Sequence, residues 1–235
     1  MLSFIVPCLN EEELVEKSIK EIIKAIHLVN LKDYEIIIID DYSTDSTWEI
    51  ISNLKKKNKN IKLIRNHRNL GLGYNFKKGY EISKKDNIIL IPSDNSHSAK
   101  EISKIISNIG KNFDVVTTYY SNTSQRSFLR NLFTKTYTPF LNFIFGTNFK
   151  YFNGITLYNK KNLKKIKLNN NSFSYQIEIF VFLFYQKKFR YKIIPTILND
   201  RKKGSKAFKL KNSILVIFFI LKIFLKSIFY RFSRN

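Results

Sequence analysis

Apolar blocks alternate with polar segments through the first 118 positions, and the spacing within each block predicts a strand or a helix. Residues 34–39 form a continuous β-branched run, which is typical of a strand covered on both faces. Between Leu14 and Ile26, apolar side chains instead recur every three or four positions, as they do on one face of a helix. By these criteria, the five predicted strands are residues 2–6, 34–39, 61–64, 87–91 and 114–118.

Four helices are predicted between these strands. The first covers positions 14–26, and Ser46 or Thr47 is expected to cap the second, which runs to about Lys56. Gly71-Leu72-Gly73 opens the third, and residues 99–109 form the fourth. Repeated strand–helix units of this length predict an α/β fold, with a mostly parallel sheet and helices on both of its faces.

The regular alternation stops after residue 118. The pattern then predicts a helix at 125–145, a strand at 154–158, a helix at 176–186 and a strand at 190–194. Residues 200–206 form a basic loop, and residues 212–232 predict an apolar helix. We therefore expect one main domain, 1–210, with halves at 1–118 and 119–210, and a tail at 211–235.

Charge is distributed unevenly along the chain. The whole sequence carries 41 basic and 18 acidic residues, a formal net charge of +23. Residues 1–110 hold 17 basic and 15 acidic residues, whereas 111–235 hold 24 and three, giving net charges of +2 and +21. This asymmetry indicates an anionic partner for the second part: a nucleic acid, a membrane surface or a phosphorylated substrate.

Composition excludes several other classes of protein. With 44% hydrophobic residues, the chain can bury a core and does not have the composition of a disordered protein. A single cysteine, Cys8, excludes a disulfide framework and a multi-cysteine zinc site. The first apolar run lacks a preceding basic segment, so it predicts a strand rather than a signal peptide, and the protein is expected in the cytoplasm.

Polar residues follow four of the predicted strands, at the edge of the sheet where such folds bind ligands. They form the runs 10–12, 40–47, 65–69 and 93–95. Any single run can be interpreted as a turn or a helix cap, because Asn, Asp, Ser and Thr are common there. Their recurrence at four strand ends favours a ligand site.

Taken in order, these motifs resemble those of the family-2 glycosyltransferases, which have the GT-A fold. The resemblance rests on residues 6–12, on 35–47 with Asp40-Asp41 at its centre, and on Asn69-Leu70-Gly71-Leu72-Gly73. Residues 200–206 are similar to the Arg-x-x-Gly-x-Ser-Lys loop of the branch that contains the dolichyl-phosphate mannose synthases, with one residue fewer between Gly and Ser. The resemblance covers roughly residues 2–210.

This resemblance implies that the first half binds a nucleotide-sugar donor. The implied roles place Pro7, Asn10, Glu11 and Asp40 around the nucleoside, with Asp41 close by. The sugar and the nucleotide base stay open at this point.

The resemblance also implies a divalent metal on the donor diphosphate. Asp94 matches the last aspartate of the family's Asp-x-Asp motif and is the implied catalytic residue, whereas Pro92 replaces the first aspartate. Mg²⁺ or Mn²⁺ prefers carboxylate and phosphate oxygens and would neutralise the leaving nucleoside diphosphate. We expect the metal on Asp94 and Asn95, with help from the donor phosphates.

Acidic residues are scarce on the expected acceptor side, where Asp114, Glu178 and Asp200 are the three after residue 110. Inverting transfer to a sugar hydroxyl needs a general base, for which Glu178 is the candidate. A phosphate acceptor needs no general base. Its second pKa is about 6, so at cytosolic pH it is already largely a nucleophilic dianion. The sequence therefore favours a polyprenyl phosphate. The residues implied to contact acceptor phosphate are Arg130, Arg201, Ser205 and Lys206.

The tail helix is expected to lie on a membrane. Lys211, Lys222 and Lys226 fall within about a 60° sector of a helix, which suits a helix in the headgroup region with lysines toward anionic lipid. These lysines argue against a transmembrane span. A helix in the core or at a dimer interface is the alternative.

We thus predict an inverting glycosyltransferase that acts on a lipid-linked acceptor at the inner face of the cytoplasmic membrane. One alternative is transfer to a saccharide hydroxyl in cell-envelope polysaccharide synthesis. Another is a basic nucleic-acid-binding protein, although no nucleic-acid motif is present and none is expected as a partner. A third, suggested by Pro92, is an inactive protein that binds the donor.

Overall fold

The computed structural model describes residues 1–122, 128–164, 166, 168, 170–172, 174–185, 190–199, 218 and 220–228, with the backbone alone for 128–134. The strands are β1 Leu2–Cys8, β2 Tyr34–Asp40, β3 Ile61–Arg65, β4 Asn87–Leu90, β5 Val115–Tyr120, β6 Thr156–Asn159 and β7 Tyr191–Thr196. The helices are α1 Val15–Leu28, α2 Thr47–Lys57, α3 Leu72–Ile82, α4 Ala99–Ile106, α5 Phe128–Phe145, α6 Lys160–Leu163 and α7 Tyr175–Phe184, and residues 220–228 are also helical.

The seven strands form one mixed sheet in the order β3-β2-β1-β4-β6-β5-β7. The pairs β3–β2, β2–β1, β1–β4 and β5–β7 are parallel, whereas β6 runs antiparallel to β4 and β5. Because β6 lies between β4 and β5, the sheet joins the two predicted halves of the main domain.

The central strand β1 extends past its neighbour β4. Its residues Leu2–Ile5 pair with β4, but its pairing with β2 continues to Cys8, opposite Asp40. Pro7 therefore sits in a central strand without losing a ladder bond, because its ring nitrogen points to the side where β4 has already ended. The Pro7 carbonyl on that side accepts a hydrogen bond from Ser93 Oγ at 2.9 Å.

Alternation along the strands divides the core between the two faces of the sheet. Ile5, Ile37 and Ile39 pack on one face with α3, α7 and the end of α5. Phe4, Val6 and their neighbours pack on the other face with α1, α2 and α4. Successive strand residues point to opposite faces, so fully apolar strands such as β2 supply both cores at once.

The two glycines that open α3 allow another backbone segment to approach closely. A Cβ on Gly73 would lie 2.0 Å from the Asn170 carbonyl oxygen, and one on Gly71 would lie 2.5 Å from the Asn171 oxygen. Gly73 N also donates to Asn171 O at 3.0 Å. The two glycines therefore allow segment 170–171 to pack against the helix. Because the Gly73 N–H already donates to Asn171 O, it is unavailable to a phosphate.

The predicted mostly parallel α/β fold is confirmed, and all five predicted early strands are present with ends shifted by at most two residues. Pattern analysis missed the short helix α6. It also did not foresee the antiparallel insertion of β6, since a local pattern carries no information on strand order.

The tail is described at 218 and 220–228, and its helix packs inward on one side. Ile220 and Ile223 are buried in the same core as α7. Phe218, Leu221 and Leu225 are exposed on another side. None of the helices in the described part of the chain is sufficiently long and apolar to cross a bilayer.

Gly73→Ala is expected to lower the free energy of unfolding by about 1–3 kcal/mol, because the added methyl group overlaps the Asn170 backbone. Urea unfolding followed by circular dichroism measures this change. Glu81→Ala, at an exposed position of the same helix, is the control and should change stability by less than about 0.5 kcal/mol. Equal midpoints for the Gly73 variant and the wild type would contradict the close approach.

Candidate active site

The loops after β1 and β2 are bonded to each other and form one wall of the site. Asn10 N donates to Ser43 Oγ at 3.0 Å, and Asn10 Oδ1 accepts from Thr44 N at 2.9 Å. Glu11 N donates to Thr47 Oγ1 at 2.9 Å. Asn10 adopts a φ of 52°, a left-handed conformation that asparagine tolerates better than most residues. The structure thus brings Asn10 and Glu11 beside the end of β2, and their contact with a nucleoside remains a prediction.

Asp40 ends β2 at the base of this wall and is fully buried. Its Oδ1 accepts from Ser43 N at 3.1 Å, and Arg65 Nε lies 3.1 Å from its Oδ2. The contact between Arg65 and Asp40 Oδ2 is an ion pair, because its geometry is not that of a hydrogen bond. Arg65 also donates from Nη2 to Ser43 O at 3.2 Å, and its guanidinium carbon lies 5.1 Å from the centre of the Trp48 ring. Arg65 therefore fixes both the carboxylate and the loop above it.

Asp41 points into the protein and holds the loop that precedes α3. Its Oδ1 accepts from Asn66 Nδ2 and Leu70 N, both at 2.8 Å, and its Oδ2 accepts from Gly71 N at 3.0 Å. With three hydrogen bonds to one loop, Asp41 positions the wall of the pocket. Contact with a donor remains a prediction for this residue.

Cys8 lies beneath the same wall. Burial raises the pKa of its thiol well above the ordinary value, with further contributions from Asp40 and Glu11. Its Sγ lies 3.6 Å from Ile39 O. The thiol thus stays protonated and acts as a packing group.

The loop after β4 carries Asp94 to the same edge of the sheet. Asp94 Oδ1 accepts from Ser96 N at 3.1 Å and from Ser96 Oγ at 2.6 Å. Asn95 has a φ of 52°, and its N–H donates to Ser18 Oγ at 2.7 Å. Since Ser93 bonds to Pro7, this loop and the end of β1 form a single unit.

These residues fit a metal only in part. Asp94 is a candidate ligand, but Asn95 Oδ1 is enclosed and has no hydrogen-bond partner among the described residues, so it is not open to an ion in this arrangement. No cluster of three or more His, Cys, Asp or Glu side chains suited to a metal occurs in the described ranges. A metal at this site would therefore take most of its ligands from a bound diphosphate and water.

The segment after β7 is fastened to the Asp94 loop. Asn199 N donates to Ser96 O, and Asn199 Nδ2 donates to Asn95 O, each at 3.0 Å. Ile197 N donates to Glu101 Oε2 at 3.1 Å. Asn199, the last described residue before the predicted basic loop, therefore lies beside the loop that carries Asp94, which the sequence did not indicate.

Glu178 lies in α7 and is largely enclosed. Its Oε1 accepts from Lys226 Nζ of the tail helix at 2.6 Å, whereas its Oε2 is buried and lacks a hydrogen-bond partner in the described part of the chain. Neither oxygen is open to an acceptor hydroxyl in this arrangement. The expectation that Lys226 faces lipid is also changed, because its ammonium group is turned toward α7.

The other predicted acceptor contacts cannot be placed. The side chain of Arg130 lies outside the described residues, and so do Arg201, Ser205 and Lys206. Their assignment to the acceptor phosphate remains a prediction.

His97, three residues beyond Asp94, is a buried member of the site. Burial lowers the pKa of its imidazole to about 4, although Asp94 and Glu101 raise it. Its Nδ1 has no hydrogen-bond partner among the described residues, and its ring stacks on Tyr120. His97 is therefore neutral at physiological pH.

Sequence reasoning placed Arg65 and Ser93 in the polar runs at this edge without giving them a role, and it did not single out Asn199. Arg65, Ser93 and Asn199 act through contacts that join segments 22 to 104 positions apart, and a local pattern gives no signal for these. The proximity of His97 to Asp94 along the chain was the one available signal.

The chain is similar to known proteins in its family, in its sequence and in its fold. The family model described as glycosyl transferase family 2 matches residues 3–167. A dolichol-phosphate mannosyltransferase of Pyrococcus furiosus is 32% identical over 114 residues, covering 48% of this chain and 31% of that protein. A dolichyl-phosphate beta-glucosyltransferase of Dictyostelium discoideum is 32% identical over 147 residues, covering 56% and 45%. The chain thus spans less than half the length of these curated relatives.

Solved structures share the fold. Glucosyl-3-phosphoglycerate synthase from Mycobacterium tuberculosis, in complex with Mn²⁺, UDP-glucose and phosphoglyceric acid, superposes with a TM-score of 0.71 at 18% identity, covering 95% of this chain and 79% of that one. The same enzyme with Mg²⁺ and UDP gives a TM-score of 0.69 at 16% identity, covering 97% and 79%. At this identity the likeness shows the fold, which is GT-A.

The neutral His97 predicts a loss of stability in acid. Between about pH 6.5 and 4 the unfolded chain binds a proton on this residue that the folded chain does not, so the free energy of unfolding falls as pH falls through that window. We expect His97→Asn to remove about 3 kcal/mol of that fall, measured by urea unfolding at pH 7 and pH 4. His67→Asn, at an exposed position, is the control and should keep the wild-type slope. An unchanged slope in the His97 variant would contradict the neutral, buried imidazole.

Proposed function

The chain belongs to glycosyl transferase family 2, and from that premise we propose that it transfers a sugar from a nucleotide-sugar to a polyprenyl phosphate with inversion. One observation carries this proposal: the described acidic side chains on the acceptor side already have hydrogen-bond or ion-pair partners. Within the described residues beyond 110, the two acidic side chains are Asp114 and Glu178, and both carboxylates are held. Asp114 accepts from Arg190 N at 2.9 Å and from Asn162 Nδ2 at 3.2 Å, and Glu178 is paired with Lys226.

Since the described acids beyond residue 110 are all engaged, the site suits a nucleophile that is already ionised. A phosphate monoester is largely a dianion at neutral pH, because its second pKa is about 6. One of its oxygens forms the new bond to the anomeric carbon while the bond from that carbon to the nucleoside diphosphate breaks, and the leaving group takes the electron pair. No proton has to be removed in this step, so no general base is required.

The donor half supplies binding and orientation. Asn10, Glu11 and Asp40 surround the nucleoside, and Arg65 keeps the Asp40 carboxylate and the 41–44 loop in place. Asp94 faces the diphosphate from the β4 loop. A divalent metal, when bound there, neutralises charge on the leaving diphosphate. Asp94 is its protein ligand in this proposal, and Asn95 is not used.

The acceptor phosphate is drawn to the basic side of the molecule. Asn199 lies beside the Asp94 loop, and in this proposal Arg201, Ser205 and Lys206, which follow it in the sequence, bind the acceptor phosphate. Guanidinium and ammonium groups are the usual partners of phosphate oxygens. The two relatives support this choice of acceptor, since both are named as transferases of dolichol or dolichyl phosphate.

A second candidate is transfer to a saccharide hydroxyl. It is favoured by the buried Glu178 Oε2, which has no hydrogen-bond partner within the described residues. If the tail helix moved and Lys226 withdrew, Glu178 would become the base near the acceptor. The two candidates therefore differ in their dependence on Glu178.

An activity screen separates the two candidates. A panel of nucleotide-sugars is tested with polyprenyl phosphate and with oligosaccharides, in the presence and absence of Mn²⁺. We expect a sugar-phospholipid product, and Glu178→Gln should keep at least about a third of wild-type kcat because no base is needed. Asp94→Asn should lower kcat by about a hundredfold or more and weaken nucleotide binding only in the presence of Mn²⁺. Transfer to oligosaccharide alone, abolished by Glu178→Gln, would replace the first candidate with the second.

Membrane contact belongs to the same proposal. The tail helix has a second apolar face that the core leaves uncovered, because Phe218, Leu221 and Leu225 are each about 60% exposed. Lys222 is exposed on the same helix. An apolar strip flanked by a cation fits an anionic lipid surface, which is also where a polyprenyl phosphate resides. The proposed location is the inner face of the cytoplasmic membrane.

Vesicle sedimentation tests this contact. Leu221→Glu combined with Leu225→Glu should reduce the fraction bound to vesicles of phosphatidylcholine and phosphatidylglycerol by about fivefold or more, because charge replaces buried apolar area. Leu28→Glu, at an exposed leucine of α1, is the matched control and should bind as the wild type does. Equal binding by the double variant and the control would exclude the tail face as the lipid contact.

A further inference from the structure

The backbone of Asn95, the residue that follows Asp94, is held by side chains from two distant segments. Its N–H donates to Ser18 Oγ of α1 at 2.7 Å, and its carbonyl oxygen accepts from Asn199 Nδ2 at 3.0 Å. Ser18 lies 77 positions before Asn95, and Asn199 lies 104 positions after it. Both main-chain polar groups of Asn95 are therefore engaged by groups outside its own loop, and we call Ser18 and Asn199 the loop clamp.

The loop clamp holds Asn95 in an uncommon backbone conformation. The φ of Asn95 is 52°, in the left-handed region, which costs free energy for residues other than glycine even though asparagine tolerates it better than most. The two hydrogen bonds that the clamp makes in this conformation offset that cost. Loss of either bond should therefore let Asn95 relax toward commoner conformations.

The conformation of Asn95 sets the position of the Asp94 carboxylate. Asp94 Oδ1 accepts from Ser96 N at 3.1 Å and from Ser96 Oγ at 2.6 Å, and both donors lie on the far side of Asn95 in the chain. Ser96 is held by the same segment, because its carbonyl oxygen accepts from Asn199 N at 3.0 Å. A change of φ at Asn95 would move Asp94 and Ser96 relative to each other. The clamp thus acts on Asp94 through the backbone between them.

Both members of the clamp are kept in place by their surroundings. Ser18 is 3% exposed, on a buried face of α1 whose other members are apolar, and Glu21 on the next turn accepts from the first N–H of α4 at 2.7 Å. Asn199 follows Leu198, whose N–H and carbonyl both bond to the side-chain amide of Asn122, at 3.0 and 2.8 Å. The clamp therefore joins the first predicted half of the domain to the second.

We propose that Ser18 and Asn199 are positioning residues for the transfer reaction: by fixing Asn95, they hold the Asp94 carboxylate where it meets the donor diphosphate and its metal. The inference rests on the proposed function, which places the diphosphate at Asp94. A displacement of about 1 Å in a reacting group can lower a rate by about a hundredfold, so two neutral residues that act only through the backbone can have a large effect. Through Asn199, the second half of the chain controls the metal-dependent part of donor binding.

Calorimetry and steady-state kinetics on the whole chain test the clamp, with UDP and GDP as ligands, each with and without Mn²⁺. For the nucleotide that the wild type binds, Asn199→Ala should reduce the gain in affinity that Mn²⁺ gives by about tenfold and leave the affinity without Mn²⁺ unchanged. It should also lower kcat by about tenfold or more without changing the KM of the acceptor. Ser18→Ala should show the same pattern, because it releases the other main-chain group of Asn95.

Asn87→Ala is the matched control. Asn87 Nδ2 also donates to a backbone carbonyl, that of Met1, at 3.0 Å, but Asn87 begins β4 and Asp94 follows the end of that strand. This variant should match the wild type in nucleotide affinity and in kcat. Its urea midpoint is the reference for folding, and a similar midpoint shows that Asn199→Ala is folded. If Asn199→Ala does not fold, Ser18→Ala decides the proposal by the same measurements.

A double-mutant cycle with Asp94→Asn separates positioning from a general structural effect. Once the carboxylate is absent, Asn199→Ala should have no further effect on the response to Mn²⁺ or on the remaining kcat. The proposal is overturned if Asn199→Ala alone keeps the wild-type response to Mn²⁺, or if it lowers kcat equally in both backgrounds. A wild-type protein that binds neither nucleotide, or whose affinity does not respond to Mn²⁺, would instead overturn the role proposed for Asp94 in the function itself, so the two failures are distinguishable.

Discussion

The burial of β1 between β2 and β4 is the constraint on which the site depends. Its parallel register places Cys8 opposite Asp40 and leaves Pro7 beyond the end of β4, where Ser93 reaches it. Three loops that are far apart in the chain therefore end at one edge of the sheet. A shift of one residue in this strand would reverse the faces of all its side chains and separate Asn10 from Ser43.

Much of this arrangement could be predicted from the sequence, because the relevant signals are local. Continuous apolar runs mark strands buried on both faces, and the polar residues that follow them mark the edge where ligands bind. Asp40, Asn10 and Asp94 were found in this way, and the structure brings them to that edge. Strand order was not predictable, since the insertion of β6 depends on pairing between distant segments.

Contacts across long separations account for the other differences. Asp41 is expected near the donor, and the structure adds that its carboxylate bonds to the backbone of Leu70 and Gly71. Glu178 is the candidate base for a hydroxyl acceptor, but its carboxylate forms an ion pair with Lys226. In both cases the partner lies too far along the chain to be identified from a local pattern.

The stacking of Arg65 on Trp48 has an optical consequence. Trp48 is the only tryptophan in the chain, and it lies beneath the guanidinium that also holds Asp40 and the 41–44 loop. The emission of an indole depends on nearby charge and on its exposure to water. This wall of the candidate site thus carries the single tryptophan of the chain, and selective excitation of its indole can report ligand binding there in the native protein without a label.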